Sequence, residues 1–173
     1  MLEARVFLGV LDEPDIEWLV ANSRRHEVSA ESVLIRHGAP VEHMYLIVDG
    51  AFDVTIFTPA ARRIATLYAG ELVGEMSFVD LHPPSATVSA AMNSIVLEIS
   101  KALLLEKIQR DSGFGTRFYK GISVLLAGRL RAAYTIDHGA RSAADSEKEM
   151  GILEQRYKEI HARLGVRRLA SGM

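Results

Sequence analysis

Two glycines four residues apart, Gly70 and Gly74, flank a turn that leads straight into Glu75-Met76-Ser77-Phe78. A glycine-flanked turn feeding the first residues of a helix leaves backbone N–H groups without intrahelical partners, and such groups bind anions. A phosphate suits that chemistry. Farther on, Ser85-Ala86-Thr87 brings two hydroxyls that can meet a phosphate or a base. The same residues also have plain structural uses. Glycines permit tight turns, Glu75 favours a helix N-terminus through the macrodipole, and Ser85 and Thr87 suit a β-strand. Met76 and Phe78 read as core.

Other chemistries find little support. The chain has 173 residues and no cysteine, which removes disulfides, thiolate metal sites and cysteine nucleophiles together. Its six histidines include no His-x-His, and His37 and His43 fall on opposite sides of Gly38-Ala39-Pro40, so no metal site is expected. No Gly-x-Ser-x-Gly, His-Glu-x-x-His or Walker-type loop occurs, and the expectation is a protein that is not an enzyme and requires no cofactor. Twenty Lys and Arg against 22 Asp and Glu give a net charge of −2, so no global field draws the chain to nucleic acid or anionic lipid. No apolar run is long enough for a membrane span and the start lacks a signal pattern, which together predict a cytoplasmic protein.

The elements that hold these residues follow from periodicity. Asp12 as N-cap and Pro14 in the first turn open a helix carrying Ile16, Trp18 and Leu19. From Val28 to about Lys101, short runs rich in β-branched and aromatic residues alternate with Gly, Pro and Asp. The runs are 32–35, 44–48, 51–57, 63–67, 86–90 and 95–99, a pattern of antiparallel sandwiches or barrels. Asp49-Gly50 between two runs predicts a hairpin, and Gly38-Ala39-Pro40 and Thr58-Pro59-Ala60 predict further turns. Ser100 caps a helix over 101–110, Asp111-Ser112-Gly113 breaks it, and a longer helix over 114–134 carries Phe118, Ile122, Leu125 and Leu126 near one face. Residues 137–146 are small and polar. Beyond them Met150, Leu153, Tyr157, Ile160 and Leu164 recur at spacings of 3, 4, 3 and 4, a narrow stripe that wants a partner.

The stretch from Leu67 through Gly74-Glu75-Met76-Ser77-Phe78 to Pro84-Ser85-Ala86-Thr87-Val88 resembles the phosphate-binding cassette of cyclic nucleotide-binding domains. Val33-Leu34-Ile35-Arg36-His37-Gly38 and Tyr45-Leu46-Ile47-Val48-Asp49-Gly50 extend the likeness, which covers roughly residues 7 to 134. The resemblance implies an α+β fold: an antiparallel double-stranded β-helix, a jelly-roll-like β-roll, flanked by an N-terminal helix and C-terminal helices. It also implies that the glutamate at Glu75 accepts from a ribose 2′-hydroxyl, and that an arginine in Arg-x-Ala-Thr pairs with the cyclic phosphate. This sequence departs at that arginine, for the register places Pro84 there. Each charge-assisted bond to phosphate contributes on the order of 1.5–3 kcal/mol, so losing it lowers affinity about tenfold to several hundredfold. Replacement cations outside the motif are Arg62, Arg63, Arg129 and Arg131.

The resulting expectation is a stand-alone regulatory module with a ligand site at Gly74, Glu75, Met76, Ser77, Ser85, Ala86, Thr87 and Arg129, and cAMP or cGMP as the candidate ligand. The alternative is a degenerate domain serving as a dimerisation scaffold; a DNA-binding regulator ranks below both. The domain spans 1–134, a flexible linker 135–146 and an amphipathic helix 147–168. A homodimer through the helix 114–134, helped by the tail stripe, and an unidentified protein partner are expected. No direct DNA contact is expected, because 39 residues after Tyr134 are too few for a winged helix-turn-helix, and no membrane contact either.

Overall fold

The computed structural model describes residues 3–138. Helices α1 (Glu3–Val10) and α2 (Glu13–Ala21) lead in, and Asp12 closes the start of α2 by donating its backbone N–H to the Asp15 carboxylate at 3.0 Å. Eight strands follow: β1 (Arg24–Val28), β2 (Val33–Ile35), β3 (His43–Asp49), β4 (Ala51–Phe57), β5 (Ala61–Tyr68), β6 (Leu72–Val73), β7 (Thr87–Ala90) and β8 (Ser94–Ser100). A single turn of helix, α3 (Met76–Val79), sits between β6 and β7, and α4 (Lys101–Arg110) and α5 (Ser112–His138) complete the described chain. Ser100 caps α4, its hydroxyl accepting from the Leu103 N–H.

The strands form two antiparallel four-stranded sheets, ordered β1-β8-β3-β6 and β2-β7-β4-β5. This is the α+β β-roll with flanking helices that the resemblance implies. Side chains alternate across β3 and β8. Met44, Leu46, Val48, Leu97 and Ile99 join Phe7, Leu104, Phe114, Phe118, Ile122 and Leu125 in a core against the helices. Ile47 and Val96 meet Ile35, Phe52, Leu67 and Val88 between the sheets. A sheet buried on both faces reads as a continuous apolar run, which is why β3 and β8 stand out in the sequence.

Three expectations change. Asp49-Gly50 does not close a hairpin: β3 pairs with β6 and β8, β4 with β5 and β7, so the turn carries the chain from one sheet to the other. Gly50 takes φ +93°, and a Cβ there would lie 2.1 Å from Ser94 Oγ, so the corner needs glycine. The first strand, Arg24–Val28, falls outside the expected runs, the first of which begins at residue 32. Its residues 24–27 are exposed and polar, and pairing with β8 replaces an apolar pattern as the reason it forms. The last helix runs on to His138, four residues into the expected linker, because no Gly or Pro interrupts Thr135-Ile136-Asp137-His138. The remainder of the expected linker and the tail helix 147–168 lie outside the described residues.

Candidate functional site

The turn before α3 is built by close approach. Gly74, at φ +88°, passes the backbone of β3 so tightly that a Cβ would stand 3.1 Å from the His43 carbonyl oxygen. Gly70, at φ +93°, donates its N–H to the Ile47 carbonyl at 2.7 Å. Together these glycines press the cassette onto β3 and project Glu75 inward. Glu75 is 3% exposed, one of few buried charged residues among those described.

Above the cassette lies a narrow open cleft of about 100 Å³, below the usual size of small-molecule sites. Ile35, Val54, Leu67, Val73 and Val88 form apolar walls; Gly74, Glu75, Met76 and Ser77 form one rim and Pro84, Ser85 and Ala86 the other. Arg129 enters from α5. Its guanidinium bonds to the Glu75 carboxylate through Nη1, donates to the Leu72 carbonyl through Nη2 at 2.8 Å, and lies 3.9 Å from Glu71. Its Nε–H is buried and has no hydrogen-bond partner, an uncommon condition for a buried donor. The helix that closes the cleft is thereby fastened to the cassette by a largely buried ion pair with one donor left over.

Seven of the eight expected site residues line the cleft, and Thr87 does not. In β7 neighbouring side chains point to opposite faces, so with Val88 turned inward, Thr87 turns away, and its hydroxyl accepts from the His37 N–H at 3.1 Å. Met76 lines the mouth but is 52% exposed, so the core reading fails for it. On the short turn of α3 the inward position belongs to Phe78, whose ring packs 5.8 Å from Phe118 and 6.2 Å from Tyr119. Pro84 occupies the rim, its carbonyl accepting from the Gly38 N–H at 2.9 Å. Of the four replacement cations, Arg129 alone reaches the cleft; Arg63 bonds to Asp53 at 3.2 Å on the edge strand β5.

Sequence reasoning missed Lys101. The first residue of α4 places Nζ 2.8 Å from Ser77 Oγ, where burial pushes its pKa below the ordinary lysine value while Asp80 and Glu75 pull it back up. Nothing local in the sequence marks it, for the contact spans 24 residues. Two of the histidines take structural roles: His26 and His43 flank Glu98 at 3.1 and 3.4 Å. Among the described residues no group of His, Asp or Glu is arranged to hold a metal.

Comparison with known proteins bears on this geometry directly. The sequence profile of the cyclic nucleotide-binding domain matches residues 25–111, a span running from β1 through the cassette to the end of α4. The chain belongs to that family. Within the cyclic nucleotide-binding domains, it is 36% identical over 104 residues to the Pycsar effector protein BcPycTIR of Burkholderia cepacia, a match covering 59% of this chain and 33% of that one. It is 30% identical over 100 residues to the cAMP-activated global transcriptional regulator CRP of Salmonella typhimurium, covering 56% and 48%. The chain thus spans a third to a half of the length of these relatives. A cyclic nucleotide-binding domain from Methylobacillus flagellatus superposes with a TM-score of 0.69 at 21% identity over 76% of each chain, which fixes the shared fold. No described helix is long and apolar enough to cross a membrane.

Proposed function

We propose that this domain is a signal-sensing regulatory module whose cleft takes a cyclic nucleotide, with cAMP and cGMP the first candidates. One observation carries the reading: the buried Glu75 carboxylate and the Arg129 guanidinium meet at the cleft, and Arg129 retains a buried donor without an acceptor. A ribose hydroxyl donates to Glu75, and a cyclic phosphate accepts from Arg129, which stands in for the arginine that Pro84 replaces. Gly74, Met76, Ser77, Ser85 and Ala86 bound the ligand, and the apolar walls exclude water from it. Ligand and ion pair compete for the same two groups. Binding therefore loosens the fastening of α5 and shifts an equilibrium between two positions of that helix. Output passes through α5, whose exposed Tyr119 and Leu130 flank the buried stripe of Phe118, Ile122 and Leu125 and suit a second copy of the chain. The dimer then presents α5 to a protein partner.

A second reading is favoured by Pro84 and by the prior engagement of Glu75: the cleft has lost its ligand, and the ion pair serves to lock a dimerisation scaffold. Thermal unfolding with cAMP, cGMP and cyclic dinucleotides separates the two. A ligand at a hundred times its Kd adds about 2.7 kcal/mol, a rise of about 5–10 °C for a chain of this size. A rise with one of them supports the sensor; no rise with any leaves the scaffold.

A further inference from the structure

Lys101 is a partly buried cation whose position packing alone does not account for. A methionine of similar length would occupy the same place without desolvating an ammonium group. Its backbone N–H donates to the Glu42 carbonyl at 2.9 Å, which anchors the start of α4 to the segment before β3. Its side chain turns toward α3, where Nζ lies 2.8 Å from Ser77 Oγ. Ser77 Oγ in turn lies 3.3 Å from the Gly74 carbonyl oxygen.

The chemistry of a hydroxyl makes this sequence of bonds directional. An ammonium group only donates, so Ser77 Oγ accepts from Lys101, and its single hydrogen is free to be donated elsewhere. It goes to Gly74. Ser77 and Gly74 both line the cleft, whereas Lys101 belongs to the element that joins the roll to α5. We propose that Lys101 is a positioning residue. It fixes Ser77 as a hydrogen-bond donor toward the cleft, suited to an acceptor oxygen such as that of a phosphate, and it couples the placement of α3 to the first turn of α4. A ligand oxygen that takes the Ser77 hydrogen releases Gly74 while the bond to Lys101 persists, so α3 moves with α4 rather than independently of it. The ligand half of this inference rests on the cyclic nucleotide reading; the coupling half does not.

Hydrogen exchange on the full chain without ligand tests the coupling. Ser77→Ala speeds exchange in the first turn of α4, and Lys101→Met speeds it in α3, each by about fivefold, the scale of one hydrogen bond. The double variant is no faster than Lys101→Met, and Lys101→Arg, which keeps a donor, exchanges like wild type. Effects confined to the substituted element, or multiplied in the double variant, overturn the proposal. Calorimetric titration with cAMP and cGMP tests the ligand half. Lys101→Met weakens whichever probe binds wild type by about fivefold or more, and Lys101→Arg restores it. Wild-type affinity in Lys101→Met overturns the positioning role while the sensor reading stands. Absence of wild-type binding to either probe removes the ligand half, and the exchange cycle still decides the coupling.

Discussion

Removing the cation from the Glu75–Arg129 pair is the perturbation that reports most directly on the site. The Glu75 side chain is 4% exposed and that of Arg129 26%. Breaking a buried pair by deleting one partner costs about 3–5 kcal/mol, chiefly because the remaining charge is left in a low-dielectric environment. Water at the exposed part of Arg129 screens the interaction, which brings the expected loss for Arg129→Met to about 2–3 kcal/mol. For a chain of this size that lowers the Tm by about 4–12 °C. Methionine keeps most of the stem packing, so the loss reads the charge. Glu75→Gln leaves a neutral acceptor for a guanidinium that keeps some contact with water and costs about 1–2 kcal/mol. The double variant Arg129→Met/Glu75→Gln buries no charge and regains about 1–2 kcal/mol relative to the sum of the singles. Urea unfolding of all four proteins at neutral pH provides the cycle. Additive losses, or a change below about 0.5 kcal/mol for Arg129→Met, the scatter of an ordinary surface substitution, would refute the argument that this pair fastens α5 to the cassette.

Other outcomes follow from particular contacts. Gly50→Ala costs about 3 kcal/mol or more in chemical unfolding, since positive φ and overpacking against Ser94 act together; Gly38→Ala, at φ +71° with open space around it, costs about 1–2 kcal/mol. Asp15 accepts from Arg117 at 2.6 and 2.8 Å, and that bonding holds its carboxyl below the ordinary aspartate range. Because the folded value lies below the unfolded one, the stabilisation is present above about pH 4 and is lost as pH falls through the folded value. Asp15→Asn therefore lowers the urea midpoint at pH 7 and flattens the acid limb of the stability profile, and an unchanged acid limb would count against the assignment. Leu130, 57% exposed on α5, sits in the proposed dimer face; Leu130→Glu shifts sedimentation from dimer to monomer, raising the dimer Kd about tenfold or more, and a wild-type monomer at high protein concentration would remove the dimer.

Apolar periodicity made most of this fold readable, and the misses share a cause. Strands β3, β4 and β8 match their runs closely, because a strand with one or both faces buried writes its pattern into the chain. The strand β1 carries only Val28 as a buried residue and is held by the ladder to β8 and by Glu98, which meets Arg24 and His26 across more than seventy residues of sequence. Local pattern contains no trace of such a partner. Asp49-Gly50 was legible as a turn, but whether a turn joins paired strands or switches sheets depends on distant pairing, here of β3 with β8 and of β4 with β7. At the site, the family resemblance located the cassette and named Arg129 among four candidate cations; the sequence could not orient Thr87, expose Met76 or bring Lys101 beneath Ser77, since each depends on which neighbour fills the inward position first.

On the proposed reading, Pro84 changes more than affinity, because it moves the site's cation from one element to another. An arginine on the cassette would hold a phosphate within the roll, whether or not α5 lay over it. With proline there, the charge that the proposed ligand needs is carried by Arg129, on the closing helix. Ligand affinity and helix position then become two expressions of one equilibrium, and linkage requires each to alter the other by the same factor. A dimer contact that biases α5 must accordingly change ligand affinity, although Leu130 is absent from the cleft lining. Titration of Leu130→Glu with whichever cyclic nucleotide binds wild type reads that factor. If the dimer holds α5 where the ligand wants it, the variant binds more weakly by the same ratio by which ligand tightens the wild-type dimer. Equal affinity in variant and wild type, with dimerisation abolished, would mean that Arg129 reads the ligand without passing the signal along α5.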